Sequence, residues 1–346
     1  MRSKPVRILQ LSPGGPAGVR LPELDRLKGF ALVLVLIYHC SGVFGYANTL
    51  HGEVGVDIFL IVSGVLLALN SYSLPAGEFL KRRCLRIYPS YWVALFLFLY
   101  LNSKYYTDDR SPADIWLHIV GLHGFARPEF FSAVNDSFWF ISVIVLLYAV
   151  FLLLRRRLHD IGFMVGAGCL LTLAACTYYQ QTNSTGGLSH LGVRIPSVFL
   201  GMILGQVASG RPSELRFSPL CAIGLLAIAY LSLFKGLVFV YPVAALAWIV
   251  SFLAVDRWLR RRRPGRVLLA GFSFLGVYSY EIYLLHQPLI RDYNRLFLVN
   301  LWQIGSPTPA VLGTSVAVAF LLVVLASVLL HRANEFLFRA LRKRSA

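Results

Sequence analysis

The chain has 346 residues and a formal net charge of +17, yet only 14% of its residues are charged and 57% are hydrophobic; mean hydropathy is +0.65. A soluble domain carries about 25% charged residues. The composition therefore excludes disorder, a disulfide scaffold and a nucleic-acid binder with its basic charge spread over one face, and points to a polytopic membrane protein whose partner is the lipid bilayer.

In chain order, residues 1–28 precede the first span, and the first 20 of them are basic and rich in Pro and Gly, without the apolar core of a cleaved signal peptide. They read as a flexible N-terminal arm. Ten apolar segments approach the roughly 20 residues that a span requires: 29–45, 54–70, 87–101, 137–154, 161–179, 192–208, 217–233, 236–254, 269–289 and 310–331. The expected fold is all-α, with about ten transmembrane helices forming one domain over 29–331. Residues 332–346 form a basic tail with the pattern of a short amphipathic helix on the inner leaflet. Of the 33 basic residues, 26 fall in alternate connections. By the positive-inside rule, both termini are cytoplasmic, and this bias accounts for most of the +17. The longest outer connection, 102–136, contains Trp116, His118 and His123 and reads as either a lid or a solvated connector. The five cysteines lack metal-like spacing, so no metal is expected.

Ionisable residues inside spans are costly, and are functional candidates for that reason. His39 lies eleven residues beyond Lys28. That spacing places both on one stripe of a helix, separated by about 16 Å along its axis. A neutral imidazole can accept a hydroxyl proton near pH 7. Asp57 can orient His39 or pair with Arg194, the one arginine inside a span; both pairings are open on sequence. Arg82, Arg83 and Arg86 precede Ile87-Tyr88-Pro89 at the inner end of the third span. Arg83 and Arg86 project from one side, which suits phosphate, and Pro89 reads as a stop. Ser279, Tyr283 and His286 form one polar stripe on the ninth span. Ser63-Gly64 is adequately explained by close helix packing.

Four of these pieces, in order, resemble the acyltransferase-3 family of membrane O-acyltransferases. They are Leu24-Asp25-Arg26-Leu27-Lys28-Gly29 with Tyr38-His39; Gly55-Val56-Asp57-Ile58-Phe59 with Ser63-Gly64; Arg82-Arg83 and Arg86-Ile87-Tyr88-Pro89; and Ser279-Tyr280 with Tyr283-Leu284 and His286. The chain departs from the family in the fourth span. Val143-Ile144 stands where many members have an acidic residue, and Ser137-Phe138 where some have a histidine before the tryptophan.

The resemblance implies transfer of an acyl group, usually acetyl, from coenzyme A to a hydroxyl, mostly of a cell-surface or lipid-linked carbohydrate. The expected setting is the bacterial inner membrane. Acyl-CoA, most simply acetyl-CoA, is then the donor. Lys28, Arg82, Arg83 and Arg86 are its phosphate ligands and His39 is the general base. Asp57 is a candidate orienter, and Tyr283 or His286 donates to the tetrahedral oxyanion. A competing class is a transporter or flippase of a lipid-linked sugar, although no pair of broken helices in matching halves supports it.

Overall fold

The computed structural model describes residues 21–44, 51–105, 111–125, 134–182, 187–210, 240–293, 298 and 308–343. The expected seventh span, 217–233, and most of the N-terminal arm lie outside these residues. Among them there is no strand. The helices are α1 (Pro22–Val43), α2 (His51–Asn70), α3 (Ala76–Tyr105), α4 (Pro112–Val120), α5 (Trp139–Leu154), α6 (Ile161–Thr182), α7 (Gly187–Ala208), α8 (Val240–Leu259), α9 (Arg263–Val277), α10 (Ser279–Gln287) and α11 (Pro309–Lys343).

Six of the described helices are long and apolar enough to cross a membrane, or seven if the bent pair α9–α10 is one span. The apolar parts of α2 (Val54–Asn70) and α7 (Arg194–Ala208) are shorter. Large apolar side chains point outward on the long helices, among them Phe96 and Tyr100 of α3, Val250 of α8 and Leu325 and Leu329 of α11. In water that pattern would be a liability; around a bundle in lipid it is the expected outer surface.

Small residues let the inner helices touch backbone to backbone. A Cβ on Gly64 would lie 2.8 Å from the Val198 carbonyl oxygen, and one on Gly201 would lie 2.3 Å from that of Ile61. This joins α2 to α7, and Gly64 has the packing role its sequence context suggested. Gly29 and Gly276 do the same for α1 and α9: a Cβ on Gly29 would meet the Phe272 carbonyl oxygen at 1.9 Å.

Three expectations need correction. The third span starts at Ala76, eleven residues before 87, and Pro89 lies inside the helix. A proline costs a helix one backbone hydrogen bond, but packed membrane helices tolerate it, so Pro89 is no stop. The ninth span is broken at Tyr278 and bends by 73° between α9 and α10. Finally, residues 332–343 are no separate surface helix; they continue α11.

Candidate functional site

The break at Tyr278 turns α10 into the bundle as a short separate helix. Every one of its residues except Tyr280 is buried, and Ser279 Oγ bonds back to the Gly276 carbonyl at 2.9 Å. A π-helical turn, Pro288–Tyr293, follows. Such turns are rare, yet frequent at functional sites. The last turn of α10 places His286 beside His39 of α1, with ring centres 4.9 Å apart. Tyr283 lies 5.4 Å from His286, and its ring meets Phe140 of α5 at 5.0 Å. His286 is fully buried, whereas His39 is half-buried. Two helices distant in sequence thus bring together three of the residues singled out as catalytic. His286 Nδ1 lies 2.8 Å from the Tyr283 carbonyl oxygen, and its Nε2 is buried without a hydrogen-bond partner.

Asp57 has been drawn to the other of its two candidate partners. Arg194 of α7 donates to its Oδ2, and Ser197 Oγ donates to Oδ1 at 2.5 Å. Both charged side chains are essentially inaccessible, and the Arg194 guanidinium also lies 4.6 Å from the Tyr241 ring centre. Burying a charge is tolerable only when it is paired and hydrogen-bonded, and this cluster meets that condition. Asp57 therefore ties α2 to α7 within the protein core.

The four cations expected to hold phosphate separate into two kinds. Lys28 is 2.8 Å from Asp25 and Arg82 is 2.6 Å from Glu78, each a partner on its own helix. Arg83 instead turns inward. It donates to Ser71 Oγ at 2.6 Å and lies 5.4 Å from the ring centres of both Phe79 and Tyr148. Tyr148 is seven residues from Arg155, so Arg83 reaches about 10 Å into the bundle from that end. Arg86, one turn further along α3, is exposed. Arg260, one of the basic residues of the connection before α9, does more than mark topology. Arg260 binds Asp256 at 2.6 Å and Glu23 at 2.7 Å, and the same Asp256 binds Arg26 at 2.6 Å.

Several functional-looking residues were missed. Glu281, fully buried, accepts from Ser90 at 3.3 Å and lies 3.1 Å from His331 of α11. Asn334 bonds Ser90 at 3.3 Å, and Tyr280 OH donates to the Ile87 carbonyl at 2.9 Å. This network joins α10 to α3 next to Arg86. The rule that flagged His39 applies equally to Glu281, an acid inside a span. In the fourth span, Ser137 donates to Gln287, Gln287 to Asp136 at 3.1 Å, and Asn135 to the Leu284 carbonyl at 3.0 Å. Residues 135–137, which include the place where the chain departs from the pattern it resembles, thus fasten the start of α5 to the end of α10.

Within the long connection 102–136, residues 111–125 are packed against the bundle. Tyr91, Trp92 and Tyr88 of α3 donate to the carbonyls of His118, Ile119 and Val120 at 2.7, 2.9 and 2.8 Å. His118 and His123 stack nearly parallel, 4.1 Å apart. Burial, with the neighbouring His118, holds His123 down from 6.5 to about 3. Among the described residues, no group of three His, Cys, Asp or Glu is placed to hold a metal ion.

Comparison with known proteins gives three relevant findings. The model of the acyltransferase-3 family, described as an acyltransferase domain, matches residues 21–332. A protein of Komagataeibacter xylinus, provisionally named a membrane-bound transacylase, is 24% identical over 331 residues, covering 88% of this chain and 82% of its own. The peptidoglycan O-acetyltransferase of Listeria monocytogenes is 27% identical over 128 residues, which is 35% of this chain and 18% of its own. No solved structure matches.

Proposed function

We propose, from the premise that the chain belongs to the acyltransferase-3 family and is a membrane-bound acyltransferase, that it transfers an acetyl group from coenzyme A to a hydroxyl of a cell-surface or lipid-linked carbohydrate. The carbohydrate acceptor follows the name of the Listeria relative. In this reading the spans number about ten, both termini are cytoplasmic, and the membrane is the bacterial inner membrane. Residues 29–331 are the catalytic domain between a basic arm (1–28) and a basic tail (332–346).

The observation that carries the reading is the meeting of His39 of α1 with Tyr283 and His286 of α10; α10 is in turn bonded to α3, the helix that carries Arg83 and Arg86. The two arginines hold phosphates of the nucleotide, Arg83 from within the bundle and Arg86 from its mouth. Lys28 and Arg82, each with a carboxylate neighbour, contribute positive potential at the same end. The pantetheine arm extends between helices to His39. There the acceptor hydroxyl gives its proton to His39 as its oxygen bonds to the thioester carbon. The tetrahedral oxyanion is met by a donor on α10. Its collapse breaks the C–S bond, and the departing thiolate recovers the proton from His39, so the histidine ends as it began. Asp57 contributes by holding α2 and α7 around this site. Where many relatives carry an acidic residue this chain has apolar Val143-Ile144, and α5 meets Tyr283 with the ring of Phe140.

The test is to supply radiolabelled acetyl-CoA and peptidoglycan fragments to the purified protein in lipid nanodiscs. Label appearing in the glycan, with stoichiometric free CoA, is expected. The bend between α9 and α10 favours a second reading, a lipid-linked-sugar transporter, because broken helices frame transporter sites. That reading predicts sugar movement across vesicles without any dependence on CoA.

A further inference from the structure

Ser90 is the centre of a polar cluster inside the bundle that the mechanism above does not use. Its Oγ donates to Glu281 Oε1 of α10 at 3.3 Å and accepts from Asn334 Nδ2 of α11 at 3.3 Å. Asn334 Nδ2 also faces the Arg86 carbonyl oxygen at 3.5 Å. A carbonyl only accepts, so the NH2 end of the amide lies there and Oδ1 is the other end. Glu281 Oε1 faces His331 Nδ1 as well, at 3.1 Å. The two remaining oxygens, Glu281 Oε2 and Asn334 Oδ1, are buried and have no hydrogen-bond partner among the described residues. Glu281 is fully buried and Asn334 is 8% exposed. Buried polar atoms are rarely left unmatched, and two in one cluster need an explanation. Arg83 carries the complementary signal: its Nε is a buried donor without a partner among the described residues.

Arg83 and Ser90 are seven residues apart in α3, which puts them on one side of the helix and about 10 Å apart along it. On α10, Glu281 precedes His286 by five residues, about 8 Å along the axis, and His286 meets His39. The cluster thus links the arginine end of α3 to the histidine end of α10. The pantetheine arm of coenzyme A runs from the phosphates to the sulfur and carries two amide N–H groups and a hydroxyl, and such donors need acceptors once they leave water. We infer that Glu281 and Asn334 are binding residues for this arm: Asn334 Oδ1 and Glu281 Oε2 accept its amide or hydroxyl hydrogens, while Ser90 and His331 hold the two side chains in place. The inference rests on the coenzyme A reading above and adds to it a site that reads the carrier arm, where the arginines read the phosphates. An acyl donor without that arm would leave both oxygens unmatched.

Calorimetry of the purified protein in micelles tests it with two probes. One is coenzyme A. The other is adenosine 3′-phosphate 5′-diphosphate, which keeps the nucleotide and its phosphates and lacks the arm. The wild type should bind coenzyme A roughly tenfold or more tightly than the fragment. Asn334→Leu and Glu281→Met, each close in volume to the residue replaced, should each weaken coenzyme A binding roughly tenfold and leave the affinity for the fragment unchanged. Unchanged fragment binding also shows that the variant is folded. Coenzyme A binding unchanged in both variants, or an equal loss of both probes in both, makes the cluster purely structural and overturns the inference. A wild type that binds coenzyme A no more tightly than the fragment overturns it too, while leaving the phosphate role of the arginines in place. Absence of any coenzyme A binding by the wild type refutes the proposed donor, and this inference with it.

Discussion

Replacing Asp57 by Ala removes one half of a pair in which both partners are essentially inaccessible. Arg194 is then left with a buried charge, and Ser197 loses the acceptor it holds at 2.5 Å. Breaking a buried pair from one side costs about 3–5 kcal/mol, chiefly through the stranded charge, whereas replacing both partners by apolar residues of similar size is often close to neutral. Asp57→Ala should therefore lower stability by about that amount, and Asp57→Ala/Arg194→Met should recover most of it. The assay is thermal and denaturant unfolding of the purified protein in micelles, followed by the exposure of buried cysteines such as Cys169 and Cys176. At about 2 °C per kcal/mol for a chain of this size, the single variant should unfold roughly 6–10 °C lower. A single variant within about 1 kcal/mol of the wild type, or a double variant no better than the single, would refute the claim that this pair joins α2 to α7.

Arg83→Ala and Arg86→Ala should each weaken acetyl-CoA binding roughly tenfold or more, since a hydrogen bond to a charged group contributes about 1.5–3 kcal/mol; calorimetry in micelles reads this, and an unchanged Kd in both variants removes the phosphate role. Gly201→Leu should unseat α7 from α2, because even a Cβ there meets the Ile61 carbonyl oxygen at 2.3 Å; folded yield should collapse, and normal yield would show that the contact is not tight. His123 is held down to about 3 in the folded protein against 6.5 when exposed. The unfolded form thus binds more protons between those values, and the stability of segment 111–125 falls as pH drops below 6.5, by roughly 1.4 kcal/mol per unit. Hydrogen exchange of α4 should accelerate accordingly at pH 5, and His123→Phe, which keeps a flat ring, should flatten the dependence.

The long apolar runs and the alternating basic blocks made the membrane helices legible, because span length and loop charge are local properties. α3 was read as starting eleven residues late. Its first three turns carry Arg82, Arg83 and Arg86, too many charges for an apolar span to be read there, but Glu78 pairs with Arg82, and Ser71 and Tyr148 receive Arg83. The break at Tyr278 was hidden for the converse reason: the stretch from Leu269 to Gln287 reads as one span, and the bend lies just beyond Gly276, which packs on the backbone of α1. Individual site residues were legible as polar groups at membrane depth. Their pairings were not, because Asp57–Arg194 and Glu281–His331 close over 137 and 50 residues, and only packing decides which helices meet. His39 and His286 lie on helices that the sequence separates by most of the chain. Their adjacency follows from α10 being a short, separately directed helix, which a helical stripe alone does not reveal.

The central claim is that His39 is the base of an acyl transfer from coenzyme A. The direct measurement is a single-turnover reaction with radiolabelled acetyl-CoA and peptidoglycan fragments, comparing the wild type with His39→Ala in nanodiscs, both first shown to bind acetyl-CoA. The account predicts label in the glycan for the wild type and, with binding intact, a loss of at least 100-fold in the variant, the lower end of what general-base catalysis contributes. Near-normal transfer by folded, CoA-binding His39→Ala would contradict it.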